Sequence, residues 1–398
     1  MPYCVVSHGD PSAAAAAAAA GEEGDVRIFY QRYGHGGTKV LLIIGFAGTH
    51  ESWGPQVKGL TGAVEPVDEE SPAGDDGAAG EGAEVCCFDN RGIGRSSVPP
   101  HKSQYTTVIM AKDALALMDH LGWRKAHVFG HSMGSMIASK LAAIAPDRVA
   151  SLALLNTTGG GYQCIPKIDW QTISLACRFL RARTPEQRAG VDLDVHYTRE
   201  YLDEIVGSNT RRQMLYQEYV KGLSSCGMQS RHGYEGQLNA CWTHKLTQKE
   251  LDRIRSSGFL ILVIHGRDDV VAQLYHARRL AEKLQPAAKL VELHGGHLVS
   301  HERTAEVNMS LMEMIKASKS NTDQGEWSNL PKKSDDLLLA GSDSRLAKRE
   351  CNIIVIYNLL GKLQLILLFF FGVFYIILEH ARRVLRVLKP VRVSATSL

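Results

Sequence analysis

Short apolar runs alternate with helical patterns along much of this chain. Apolar or alternating runs of strand length occupy residues 26–33, 40–44, 85–88, 125–129, 150–155, 259–264 and 289–293. Residues 107–121 and 136–144 instead carry apolar side chains at helical spacing. Strands that alternate with helices in this way predict an α/β fold, with a mostly parallel sheet covered by helices on both faces.

Two internal segments interrupt this alternation. Residues 65–84 are rich in Asp, Glu, Gly, Ala and Pro and contain no Lys or Arg. Such a composition cannot bury a core, so a disordered acidic insertion is predicted over 64–84. Residues 157–246 are polar, helical in pattern and rich in Tyr and Trp. This second segment predicts an inserted helical unit before the strand pattern resumes.

The two ends of the chain differ from the middle. Residues 1–24 contain a polyalanine run and no signal-peptide pattern, which predicts a disordered tract. Residues 318–350 predict a polar linker, and a hydrophobic segment follows over 351–380. Its length suits a membrane span, although an interfacial helix or a hairpin would also fit. The basic tail at 381–398 would favour anionic headgroups in each case.

Composition and charge argue against several classes of partner and cofactor. The chain has 398 residues and a formal net charge of +3, which does not favour a nucleic-acid partner. Neither a phosphate-binding P-loop nor zinc-like Cys/His spacing occurs, so no cofactor and no metal are expected. The eight cysteines do not form a disulfide pattern, which favours a reducing compartment.

The segment Val128-Phe129-Gly130-His131-Ser132-Met133-Gly134 contains the clearest chemical signal. A predicted strand leads into it and a predicted helix follows, which is the layout of a nucleophile elbow, G-x-S-x-G. On such a turn Ser132 would be exposed above the sheet edge. It would also lie at a helix N-terminus, where free N–H groups favour developing negative charge.

A serine nucleophile needs a base and an acid that orients the base. Two later strand ends supply them in the order expected of G-x-S-x-G enzymes. Asp269 follows the strand at 259–264 and is the preferred acid, with Asp268 as the alternative. His297 follows Gly295-Gly296 after the last predicted strand and is the preferred base, with His294 and His301 nearby.

The oxyanion hole requires two backbone N–H donors. Met133, directly after the nucleophile, is the first candidate. The second is expected in the loop Gly45-Phe46-Ala47-Gly48, which follows the strand at 40–44. Phe46 is the preferred donor and Ala47 the alternative.

These motifs, taken in order, resemble those of the α/β-hydrolase superfamily. The closest likeness is to its esterase, lactonase and haloperoxidase-like group. The matching segments are Gly45-Phe46-Ala47-Gly48, Asp89-Asn90-Arg91-Gly92-Ile93-Gly94-Arg95-Ser96, Gly130-His131-Ser132-Met133-Gly134, Pro146-Asp147-Arg148-Val149, Gly266-Arg267-Asp268-Asp269 and Gly295-Gly296-His297. The resemblance implies one hydrolase domain over 25–317, with residues 158–246 forming a helical cap over the active site. It also implies that the segment beginning at Asp89 is a structural turn.

The chain departs from the family pattern before the oxyanion loop. Many relatives carry His-Gly there, whereas this chain has Ile44-Gly45. The backbone donors do not need that histidine, so the departure concerns the mouth of the pocket. Relatives that open epoxides or remove halide use an aspartate nucleophile, and Ser132 argues against those reactions.

The sequence therefore predicts a membrane-associated serine hydrolase that cleaves a carboxylic ester, with a small-molecule or lipid ester as substrate. Attachment through the C-terminus would leave the catalytic domain in the cytosol. An acyltransferase that uses the same triad is one alternative. A non-catalytic ligand receptor or scaffold on this fold is another.

Overall fold

The computed structural model describes residues 2–6, 25–67 and 82–329. Its strands are Tyr3–Val6 (β1), Val26–Tyr33 (β2), Thr38–Ile43 (β3), Ala83–Phe88 (β4), Ala126–His131 (β5), Val149–Leu155 (β6), Ile205–Val206 (β7), Asn209–Thr210 (β8), Leu260–Gly266 (β9) and Ala288–Leu293 (β10). Its α-helices are Gly54–Thr61 (α1), Thr107–His120 (α2), Met133–Ile144 (α3), Trp170–Arg181 (α4), Pro185–His196 (α5), Arg199–Asp203 (α6), Arg211–Cys226 (α7), Arg231–Thr243 (α8), Gln248–Arg255 (α9), Leu274–Lys283 (α10), Val299–Glu302 (α11), Thr304–Lys319 (α12) and Gln324–Asn329 (α13).

Among the described residues, eight strands form the main sheet, in the order β1-β2-β4-β3-β5-β6-β9-β10. β2 pairs antiparallel with both β1 and β4, and the remaining neighbours are parallel. The predicted α/β fold with a mostly parallel sheet is therefore confirmed. The carboxyl ends of β5, β9 and β10 lie at one edge, and the candidate chemical residues follow these three strands.

Both faces of the sheet are buried, as the continuous apolar runs predicted. Alternate residues of β3 enter different cores, with Leu41 and Ile43 on one side and Val40 and Leu42 on the other. This division follows from the two-residue period of a strand. The first core also contains side chains of α2, α3, α9 and α10, whereas the second contains those of α1, α12 and α13.

The inserted helical unit lies between β6 and β9, where the sequence predicted it. Its helices α4 to α8 begin at side chains that accept a hydrogen bond from the first turn. These N-cap residues are Asp169, Thr184, Thr198, Thr210 and Ser230. A third apolar cluster joins this unit to the loop that contains His297, through Leu193, Tyr197, Leu202 and Leu298.

Three predicted boundaries are wrong. Residues 3–6 were assigned to a disordered tract, but they form the edge strand β1 because their backbone pairs with β2. Glu84 was assigned to the acidic insertion, but it is buried in β4 and bonds Lys39 Nζ at 2.7 Å and Arg32 at 3.0 Å. The domain also does not end at 317, since Trp327 on α13 is buried against β9.

The other terminal and insertion predictions lie outside the described residues. They are the remainder of the N-terminal tract, most of the acidic insertion, most of the polar linker, the hydrophobic segment 351–380 and the basic tail 381–398. Over the part of the chain that the structure describes, no helix combines the length and apolar character that crossing a membrane requires.

Candidate active site

Ser132 stands on a sharp turn between β5 and α3. Its backbone has φ 53° and ψ −119°, a conformation that non-glycine residues rarely adopt. The flanking glycines make the turn possible because a Cβ on Gly130 would lie 2.3 Å from Gly134 O, and one on Gly134 would lie 2.0 Å from Ile43 O. Neither approach leaves room for a side chain. The strain at Ser132 is held by packing on both sides, as at other functional turns.

The structure brings Ser132, His297 and Asp269 into one hydrogen-bonded chain. His297 Nε2 lies 3.0 Å from Ser132 Oγ, and His297 Nδ1 lies 2.8 Å from Asp269 Oδ2. A carboxylate can only accept, so Nδ1 carries the proton and the serine hydroxyl donates to Nε2. This order is the one that a serine nucleophile, its base and an orienting acid would require.

Asp268, the alternative acid, points elsewhere. Its Oδ2 lies 2.9 Å from His294 Nδ1 at the surface, and the Gly295 N–H donates to the same oxygen at 3.3 Å. Asp268 and His294 thus pair with each other, away from Ser132. The geometry favours Asp269 because the backbone turn after Gly266 directs only the second aspartate inward.

The side chain of Asp269 is fully buried and surrounded by donors. Burial alone would raise its pKa, but the neighbouring His297, His265 and the Asn156 side chain together hold the pKa below its ordinary value. Asn156 Nδ2 donates to Oδ2 at 2.7 Å, and the N–H groups of Val271 and Ala272 donate to Oδ1 at 2.8 Å each. Asp269 is therefore kept as a carboxylate, which is the form that can orient the base.

The loop that carries His297 is fixed from two directions. The Gly296 N–H donates to Glu302 Oε1 at 2.9 Å, and the Leu298 N–H donates to His196 O in the cap at 2.9 Å. Glu302 also accepts from the backbone and hydroxyl of Thr198, at 2.9 and 2.7 Å. One carboxylate thus joins the base loop to the cap, so the position of His297 depends on both.

The predicted oxyanion loop passes directly beside the serine. A Cβ on Gly45 would lie 3.0 Å from Ser132 Cβ. The Ala47 N–H is already used, because it donates to Gln237 Oε1 at 2.9 Å. Within the described part of the chain, no acceptor takes the Phe46 N–H or the Met133 N–H at the start of α3. The geometry therefore favours Phe46 over Ala47 as the second donor.

Two neighbouring contacts hold this loop in place. The turn that begins at Asp89 accepts from the backbone and the ring of His50, at 2.8 Å each, and Asn90 donates to Ile44 O at 2.8 Å. On the cap side, Gln237 lies fully buried on α8 and also donates to Arg91 O at 3.0 Å. The turn thus supports the loop through these hydrogen bonds, and the resemblance implies a structural role for it.

Comparison with known proteins assigns this fold and site to a family. Residues 39–304 match a family model described as alpha/beta hydrolase fold. The chain belongs to the α/β-hydrolase family. A curated relative, the dihydrolipoyllysine-residue acetyltransferase component of the acetoin cleaving system of Cupriavidus necator, is 35% identical over 313 residues, which are 77% of this chain and 71% of that protein.

Two solved hydrolase structures show the same fold. The enol-lactonase of Burkholderia xenovorans is 22% identical with a TM-score of 0.56, and the match covers 73% of this hydrolase and 97% of that chain. A thermophilic esterase of Thermogutta terrifontis is 19% identical with a TM-score of 0.57, over 80% of this chain and 99% of that one. At these identities the two structures establish the shared fold.

Three further histidines surround His297 in the hydrolase, and the sequence assigned a role to none of them. His131 donates from Nε2 to His297 O at 2.8 Å, and His301 donates from Nε2 to Ser52 O at 2.7 Å. His196 stacks on His297 with ring centroids 6.3 Å apart. Burial lowers the pKa of His131 to about 3, and it also lowers the pKa values of His196 and His301. His297 therefore has neutral histidines around it.

The sequence carries a signal for some of these histidines but not for all of them. His131 directly precedes Ser132, and this adjacency was an available signal. His196 comes from the cap, and its contact with His297 depends on tertiary structure alone. The same holds for Glu302 and Gln237.

Aromatic side chains of the core loop and the cap meet beside the oxyanion loop. Phe46 contacts Tyr234 of α8 edge to face at 5.3 Å, and Tyr234 lies 6.5 Å from Phe179 of α4. All three are half-buried. The inserted helical unit thus supplies apolar surface beside the predicted oxyanion loop.

Nothing in the described ranges, which leave out 7–24, 68–81 and 330–398, groups enough His, Cys, Asp and Glu side chains to hold a metal ion. Cys4, Cys86, Cys87, Cys164, Cys177 and Cys241 have free thiols, and the first three of them are buried in the core. Burial raises the pKa of the Cys4 thiol to about 11, so this thiol stays protonated near neutral pH.

Proposed function

We propose that this α/β-hydrolase is a serine esterase that cleaves carboxylic esters through an acyl-enzyme. The observation that carries the proposal is the hydrogen-bonded chain from Ser132 Oγ through His297 to Asp269, with distances of 3.0 and 2.8 Å. A serine on a strained turn, a base in contact with it and a buried acid behind the base together favour nucleophilic catalysis.

In the proposed reaction, Ser132 Oγ attacks the ester carbonyl while His297 Nε2 takes the hydroxyl proton. The N–H groups of Met133 and Phe46 bind the oxyanion of the tetrahedral intermediate. His297 then gives its proton to the leaving alcohol, which departs as the acyl-enzyme forms. A water molecule attacks this ester by the same route and releases the acid. Asp269 stays ionised throughout and stabilises the imidazolium.

The surroundings of the site favour substrates with an apolar acyl group. Phe46, Tyr234 and Phe179 provide aromatic surface beside the oxyanion loop, and apolar walls also exclude water from the reaction.

Transfer of the acyl group to an acceptor other than water is the second candidate function. One observation favours it: the relative that is 35% identical over 77% of this chain is named an acetyltransferase component. The acyl-enzyme would be the same in both cases, and only the second nucleophile would differ.

Labelling with a fluorophosphonate probe tests the proposed function. Wild-type full-length protein is compared with Ser132→Ala and with Ser139→Ala, in which a buried serine of the following helix α3 loses a hydroxyl that donates to Ser135 O at 2.8 Å. We expect labelling of the wild type and of Ser139→Ala, and none of Ser132→Ala. A folded wild-type protein that is not labelled would contradict the proposal and favour the receptor or scaffold alternative.

Product analysis then separates hydrolysis from transfer. Enzyme that has not been exposed to the probe is given a p-nitrophenyl acyl ester in water, with and without an added alcohol. Free acid as the main product in both conditions supports the esterase, whereas a new ester formed at the expense of the acid supports transfer.

Anchoring of the protein through residues 351–380, with the catalytic domain in the cytosol, stays a prediction.

A further inference from the structure

Helix α4 of the cap presents an apolar face to solvent. Trp170, Ile173 and Leu180 are 83%, 45% and 70% exposed, and Cys177 between them is exposed as well. Their spacing of three and four residues places them on one side of the helix. We name these four residues the outer face of α4. A helix that packs on a core ordinarily places polar side chains on its solvent side.

The outer face is not needed to attach α4 to the protein. Leu175 is buried, and Phe179 packs towards Tyr234 on a different side of the helix. Arg178 on α4 also bonds Asp194 of α5 at 2.7 Å. The helix is therefore held by its inner side, and the exposed apolar residues contribute little to that packing.

Cations lie next to this apolar face. Arg181 and Arg183 are exposed, and neither has an acidic partner among the described residues. Lys167, just before the helix, is 77% exposed and lies 3.8 Å from Asp169, whose side chain caps the helix. Glu186 is the other exposed acid close in sequence. Exposed apolar residues with free arginines beside them are complementary to an anionic lipid surface.

We propose that α4 docks on the surface of an anionic lipid bilayer, with its outer face inserted among the acyl chains and Arg181 and Arg183 at the headgroups. Trp170, the most exposed of these side chains, would touch the acyl chains where they meet the headgroups, a position that tryptophan favours. The inner side of the same helix reaches the aromatic residues beside the oxyanion loop through Phe179. Docking does not require the proposed esterase function. If that function holds, docking makes a lipid ester the substrate class.

Tryptophan fluorescence can report on this contact in the full-length protein. All five tryptophans are described, and Trp53, Trp123 and Trp327 are at most 2% exposed, whereas Trp170 and Trp242 are exposed. Vesicles of phosphatidylserine and phosphatidylcholine with brominated acyl chains quench a tryptophan only where it touches those chains. Quenching of Trp170 therefore measures insertion of the outer face, even where other residues also bind the vesicle.

The variants separate the outer face from general apolar exposure. Ile173→Gln/Leu180→Gln removes the apolar surface and keeps the reporter. Met309→Gln/Met312→Gln is the matched control, because these methionines of α12 are 40% and 46% exposed. We expect wild-type protein to be quenched by anionic vesicles, the first pair to lose that quenching and the second pair to keep it. Trp170→Phe should lose most of the signal, whereas Trp242→Phe should keep it.

Further measurements test whether docking is independent of hydrolysis, whether it needs anionic lipid and whether the outer face is exposed before lipid is added. Ser132→Ala should be quenched like the wild type, which keeps docking separate from hydrolysis. Equal quenching by neutral vesicles, or none by either, would overturn the proposal. Protection of Trp170 from iodide before any lipid is added would also overturn it. Protection at every protein concentration would indicate that the chain covers its own outer face, and protection that grows with concentration would indicate a second copy.

Discussion

The two candidates for the acid of the active site are neighbours in the chain. Asp268 and Asp269 are adjacent, yet only Asp269 is buried and bonded to His297, while Asp268 pairs with His294 at the surface. The two positions therefore offer an internal comparison, since the same chemical change can be made at each. The difference in kcat between the two variants measures the contribution that the Asp269 carboxylate makes through His297.

Asp269→Asn should lower kcat by about four orders of magnitude, because an amide cannot hold His297 in the tautomer that accepts the serine proton. Asp268→Asn should leave kcat close to that of the wild type. The measurement is kcat on an activated ester for both variants, with thermal unfolding as a check on folding. A comparable loss in both variants would mean that the two carboxylates act together, against the geometry.

At the level of elements, α8 of the cap is joined to the oxyanion loop by one buried side chain. Gln237 accepts the Ala47 N–H, accepts from Gln229 Nε2 at 3.0 Å and donates to Arg91 O. Because the Ala47 N–H is used in this way, Phe46 is the preferred oxyanion donor in the proposed mechanism. The proposal therefore makes the position of the oxyanion loop depend on the cap.

Gln237→Leu should reduce kcat by roughly 10-fold or more with a smaller change in KM, since a displaced oxyanion donor weakens transition-state binding. Asn239→Leu is the matched control on the same helix, because Asn239 donates to Lys102 O and Tyr105 O, away from the oxyanion loop. Equal losses of kcat in the two variants would show that general loosening of the cap explains the effect.

Strand and helix positions were predictable where burial leaves a long periodic signal. β2 was predicted at its observed bounds, and α3 was predicted to end at Ile144, where it does end. β1 and α13 were missed because they are short, and their stability comes from pairing with β2 and from burial of one tryptophan. Both elements are stabilised by tertiary contacts, and such contacts leave no periodic pattern in the sequence.

The same limit applies to the site. Ser132, Asp269 and His297 follow strand ends and carry recognisable local motifs, so the sequence could nominate them. Glu302, His196 and Gln237 are polar residues in helical patterns that resemble ordinary surface positions. Only the folded chain shows that they meet the catalytic loops.

Trp327→Ala should lower the free energy of unfolding by about 3–5 kcal/mol, as for other large buried side chains. Trp327 is 1% exposed, and its Nε1 donates to Ile261 O at 2.8 Å. Trp327→Phe should cost less, because it keeps most of the apolar contact and removes the hydrogen bond. Urea unfolding measures both, and a neutral Trp327→Ala would place the end of the domain near 317 after all.

At the scale of the whole molecule, buried histidines make folding depend on pH. Burial lowers the pKa of His127 to about 4, and it lowers those of His131 and His244 to about 3. In the unfolded chain these imidazoles titrate near their ordinary value of about 6.5. Below that value the unfolded state binds protons that the folded state rejects. The free energy of unfolding therefore falls as the pH falls.

Each of these histidines should contribute a slope of up to about 1.4 kcal/mol per pH unit between pH 6.5 and its folded pKa. Carboxylates such as Asp269 have lowered pKa values and lose their contribution only below about pH 4. Urea unfolding at pH 7, 6 and 5 thus isolates the histidines. His127→Asn removes one imidazole at the opposite end of β5 from Ser132, in a position that bonds Ser151 Oγ, and should show a smaller slope than the wild type. Equal stability at pH 7 and 5 would mean that these imidazoles become protonated without unfolding, in contradiction to their burial.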